Sequence, residues 1–80
     1  MCRLFDVFRW EHTDGDQETV LVQGLSFKEA LDRATTQVLE ESELIEIPFV
    51  ATQCALPEWQ LFFEGHLVTT IAVVRQETQN

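Results

Sequence analysis

Ser26-Phe27-Lys28-Glu29-Ala30-Leu31-Asp32-Arg33-Ala34-Thr35-Thr36-Gln37-Val38-Leu39-Glu40-Glu41 decides the fold of this 80-residue chain. A serine followed three residues later by a glutamate is the spacing of a capping box, in which each side chain satisfies a backbone N–H at the start of a helix. From there Phe27, Ala30, Leu31, Ala34 and Val38 recur at helical spacing and form one apolar face. Glu29, Asp32, Arg33, Thr36, Glu40 and Glu43 fall opposite. The pattern predicts one amphipathic helix ending near residues 41–43.

The residues before the helix read as a hairpin. Arg3 to Trp10 is aromatic and β-branched without glycine or proline, and Thr19 to Gln23 is the returning strand. Asp14-Gly15 between them is a strong tight-turn signal. A two-residue turn there sets Phe5, Val7, Val20 and Val22 on one face. It sets Leu4, Phe8, Trp10 and Leu21 on the other. After the helix, Ile45 to Val50 alternates like a strand, with Pro48 placing it at a sheet edge or making it irregular. Trp59 to Phe63 and Leu67 to Arg75 read as two further strands joined at Glu64-Gly65. The expected fold is therefore α+β in two layers, with one helix on one face of an antiparallel sheet of four or five strands (ββαββ or ββαβββ). Residues 1–80 form a single domain, with 76–80 expected to fray. A lone helix leaves the other sheet face open, to water or to a partner.

Charge is the second strong signal. Fourteen acidic residues face five basic ones, for a formal net charge of -9. No lysine or arginine occurs from His12 to Gln23, nor from Ala34 to Val74. Direct nucleic-acid binding needs cations to neutralise phosphates and is not expected, nor is attachment to an anionic membrane. No apolar run reaches the ~18 residues of a membrane helix, and the N-terminus lacks a signal-peptide layout. The expected location is the cytoplasm, with Cys2 and Cys54 as free thiols.

Catalytic and metal motifs do not rise above chance. Ser26 is accounted for as a helix cap, and neither His12 nor His66 has a nucleophile or base at a telling spacing. Asp14, Asp16 and Glu18 alternate, but Gly15 falls between the first two, unlike an EF-hand loop. The cysteines and histidines lack close zinc-ligand pairs. A non-enzymatic protein without metal or cofactor is expected.

The acids themselves are the candidate site. Glu11, Asp14, Asp16 and Glu18 crowd one hairpin, and Asp32, Glu40, Glu41 and Glu43 follow on the helix. Carboxylates at a helix C-terminus oppose the macrodipole by roughly 0.3–1 kcal/mol each when exposed, so stability alone does not explain them. Acids two apart on a strand stand ~6.6 Å apart. Such rows suit the lysines and arginines of a basic groove, with Phe8 and Trp10 as apolar anchors.

Size, acidity, a capped single helix and an antiparallel sheet together resemble small phage-encoded inhibitor proteins, such as anti-CRISPR proteins. The resemblance implies an inhibitor that masks a basic, nucleic-acid-binding protein complex by electrostatic mimicry of nucleic acid. Asp14 to Glu41, a hairpin running through Gly24-Leu25-Ser26-Phe27-Lys28-Glu29-Ala30-Leu31, is also similar to HicB-like antitoxins, though without their proline-rich segment. The alternative expectation, antitoxin-like, is a structural or regulatory module that self-associates as a homodimer by stacking the open, aromatic sheet face.

Overall fold

The computed structural model describes residues 3–42 and 56–76. Five elements follow in order: β1 (Phe5–Glu11), β2 (Gln17–Leu25), α1 (Phe27–Ser42), β3 (Glu58–Phe63) and β4 (His66–Arg75). The strands form one antiparallel sheet in the order β2-β1-β4-β3. The fold is the expected α+β arrangement of one helix on a four-stranded sheet. The strand expected at Ile45 to Val50, both cysteines, Glu43 and residues 77–80 lie outside the described residues. Gln76, expected to fray, is tied down: its backbone N–H donates to the Leu4 carbonyl at 2.9 Å.

The helix starts as its capping signal dictates. The Glu29 N–H donates to Ser26 Oγ at 3.3 Å, and Glu29 Oε1 accepts from the Ser26 N–H at 3.3 Å. Ala30 and Ala34 are fully buried, and their small side chains let the helix lie close to the sheet. Val38 and the half-buried Leu31 complete its inward stripe. Beneath it lie Phe5 and Val7 of β1, Trp59 and Leu61 of β3, and Ile71 and Val73 of β4. Phe27, partly exposed, meets Phe5 edge-on with ring centroids 5.3 Å apart.

The first hairpin departs from the tight-turn expectation. Its last paired residues are Glu11 and Gln17, so the loop spans residues 12–16. The loop has its own ties: the His12 N–H donates to the Val68 carbonyl at 2.9 Å, and the His12 ring bridges Asp16 and Thr70. Opening the turn slips the register by one, so Phe8 pairs with Val20 and Trp10 with Glu18. A one-residue slip exchanges sheet faces. Val20 therefore joins the exposed Phe8 face, whereas Leu21, expected there, packs against the core. β-bulges flanking Val7 absorb the slip, restoring Val7 opposite Val22 and then placing Phe5 opposite Leu25. At Gly24 the backbone takes φ +74°, and its N–H donates to the buried Asp6 carboxylate at 3.1 Å.

The second hairpin is as tight as expected. Phe63 pairs with His66 across Glu64 (φ 52°) and Gly65 (φ 81°), two consecutive left-handed residues. That pattern matches the twist of the flanking strands. On the face away from α1, two rows of residues cross the sheet: Glu18–Trp10–Thr70–Gln60 and Val20–Phe8–Ala72–Glu58.

Candidate functional site

The topology sorts the charges. β1 ends, β2 begins, β3 ends, β4 begins and α1 ends at one pole of the molecule, as the Arg9–Glu41 contact and the register of Glu11 with Gln17 and Thr69 fix. Glu11, Asp14, Asp16, Glu18, Glu40, Glu41 and Glu64 lie at this pole, with Arg9 as its one Lys or Arg side chain among the described residues. Towards the other pole, four carboxylates (Asp6, Glu29, Asp32, Glu58) stand with four cations (Arg3, Lys28, Arg33, Arg75). The excess negative charge of the described residues is thus confined to one end.

Arg9 ties this pole together. Its Nε donates to Glu41 Oε2 at 2.8 Å and its Nη2 to Glu41 Oε1 at 3.0 Å, a two-pronged pair. The same Nη2 lies 2.9 Å from Glu11 Oε1. Gln37 Nε2 donates to Glu41 Oε2 at 2.6 Å, and Thr13 Oγ1 donates to Glu11 Oε2 at 2.6 Å. Burial raises the Glu41 pKa, but the Arg9 and Gln37 hydrogen bonds and the Arg9 charge outweigh it and hold the carboxyl below its ordinary range. Glu11 is also lowered, first by the Thr13 hydroxyl and then, against desolvation, by Arg9. The Arg9 guanidinium is correspondingly held in its charged form, chiefly by its hydrogen bonds to Glu41.

The candidate acids therefore divide. Glu11 and Glu41 are engaged in the structure, half-buried around Arg9. Asp14 and Glu18 are exposed on the 12–16 loop and β2, and Glu40 is exposed on the last helical turns. Asp16 is exposed but lies 2.8 Å from His12 Nδ1. Asp32, exposed on α1, is not brought to the acidic pole, because it lies in the N-terminal half of the helix. Phe8 and Trp10 stack on the uncovered sheet face with centroids 5.6 Å apart and planes 17° apart.

His12 was not a candidate in the sequence, yet it is well placed. Its Nδ1 lies 2.8 Å from Asp16 Oδ1 and its Nε2 lies 2.9 Å from Thr70 Oγ1, so the ring hydrogen-bonds on both sides. The order carboxylate–imidazole–hydroxyl is that of a nucleophile relay. Here Thr70 is buried in a strand paired on both sides, to Trp10 and to Gln60. The arrangement fastens the acidic loop to β4. Among the described residues, no three His, Cys, Asp or Glu side chains converge as a metal site, and no helix is long and apolar enough to cross a membrane.

Two depressions flank this architecture. A cleft of about 530 Å³ opens between the end of α1 and the β3–β4 hairpin, with Glu11, Glu40, Glu41 and Arg9 on its wall. A trough of about 560 Å³ lies on the uncovered sheet face, bounded by Trp10, His12 and Glu58 and floored by Thr70 and Ala72. Comparison with family models, curated proteins and solved structures finds no match to this chain. The geometry alone therefore carries the functional reading. Arg9 and Glu64, which shape the acidic pole, had no local sequence signal: one acts through a partner 32 positions away, the other through the meeting of strand ends.

Proposed function

We propose that this protein is a non-enzymatic acidic binding protein that masks a basic, nucleic-acid-binding protein complex in the cytoplasm, in the manner of anti-CRISPR inhibitors. One observation carries the reading: among the described residues, seven carboxylates gather at one pole against a single guanidinium, which is itself engaged by Glu11 and Glu41. A surface evolved only for solubility has no need to segregate its charge. Exposed Asp14, Glu18 and Glu40 offer carboxylates to lysines and arginines that otherwise hold a nucleic-acid backbone. The Arg9 network keeps the array on a fixed frame, so its geometry is set before contact. Association is fast at low ionic strength and weakens with salt.

Affinity capture from a cell lysate at low and high salt tests the reading. The expected catch is a nucleic-acid-binding protein rich in exposed arginine and lysine, released by salt and displaced by free DNA or RNA. Capture of only acidic or apolar proteins, or a basic catch that nucleic acid does not displace, overturns it.

A further inference from the structure

The uncovered sheet face bears a chemistry of its own. Its two central rows place Trp10 and Phe8 on β1 between Glu18 on the β2 side and Glu58 on the β3 side. From β1 to β3 is two strand spacings, about 9.6 Å. Between them the small side chains of Thr70 and Ala72 leave the trough of about 560 Å³. Phe8 covers one face of the Trp10 ring. Arg75, opposite Phe5 in the register, borders the end of the trough towards the balanced pole. No lysine or arginine alternates onto this face among the strand residues described.

A stacked aromatic pair flanked by carboxylates matches a flat, delocalised cation. We infer that this trough receives an arginine side chain of the basic partner, an inference that rests on the acidic-protein reading above. The guanidinium lies against the indole of Trp10 and donates a forked pair of hydrogen bonds to Glu58, the carboxylate that lines the trough. A lysine ammonium gains less here, being a compact, strongly hydrated charge that neither stacks nor forks. A second copy of this chain is disfavoured on the same face, since it would bring Glu18 and Glu58 of both copies together with only Arg75 of each as an opposing charge.

The test uses capped hexa-arginine and hexa-lysine peptides as probes, titrated at low salt by calorimetry and followed at the indole N–H signals of both tryptophans. Hexa-arginine is expected to bind at least about threefold tighter than hexa-lysine and to move the Trp10 signal while leaving buried Trp59 in place. Glu58→Gln is expected to remove most of that preference. Glu40→Gln, outside the trough, weakens both peptides alike. Equal binding of the two peptides, or an unmoved Trp10 signal, overturns the trough and leaves the acidic pole standing. Failure of both peptides to bind overturns both readings. Glu58 is a half-exposed side chain, so its variant folds independently of any doubt about Trp10.

Discussion

Arg9 on β1 grips Glu41 in the last turns of α1 through two parallel hydrogen bonds of 2.8 and 3.0 Å, joining the sheet to the helix end. The contact resolves a conflict in the chain. A carboxylate at a helix C-terminus opposes the macrodipole, but here a guanidinium compensates it directly. Removing the cation leaves Glu11 and Glu41 facing each other half-buried and uncompensated. Arg9→Ala is expected to lower the unfolding free energy by about 2 kcal/mol in urea titrations. Arg9→Lys keeps the charge, loses the fork, and is expected to fall about halfway between.

The same pair sets a pH dependence. Glu41 has a depressed pKa in the folded protein, so its contribution is present above the unfolded value of about 4.3 and is lost as pH falls through the lower folded value. The stability difference between the native chain and Glu41→Gln should therefore be constant at neutral pH and shrink below about pH 4.3. Glu11, lowered chiefly by Thr13, behaves in the same sense. A difference that grows on acidification would contradict the network.

Glu40 separates stability from binding. It is exposed at the end of α1, where the macrodipole disfavours it. Glu40→Lys is expected to stabilise the fold by roughly 0.3–1 kcal/mol while weakening partner binding and flattening its salt dependence. Thermal unfolding and binding measured on the same sample check both halves.

Glu64 holds φ 52° in a turn that favours glycine or asparagine. Glu64→Asn is expected to raise stability by about 1 kcal/mol, since the left-handed conformation is less strained for asparagine. A loss of stability would mean that the carboxylate itself is held in place.

With the excess charge at one end and acids flanking the aromatic stack, the protein is expected to sediment as a monomer at low salt. A dimer that Trp10→Ala disrupts would favour the self-associating reading over the masking one.

Local signals were legible and distant ones were not. The Ser26–Glu29 cap, the Ala30–Ala34–Val38 stripe and the Glu64-Gly65 turn each depend on neighbours within a few residues, and each forms as its sequence implies. The Asp14-Gly15 signal misled, because His12 and Asp16 have alternative hydrogen bonds that favour a longer loop. One residue of slippage then moved Leu21 inward and Val20 outward. The strand order, the grip of Arg9 on Glu41 and the separation of Asp32 from the acidic pole follow only from how the elements meet.

That meeting of element ends makes the molecule a compass needle. An approaching cationic surface exerts a torque on the lopsided body and turns it acid end first before any atoms touch. Random rotation is thereby biased towards productive encounters, and added salt should slow capture more than it hastens release.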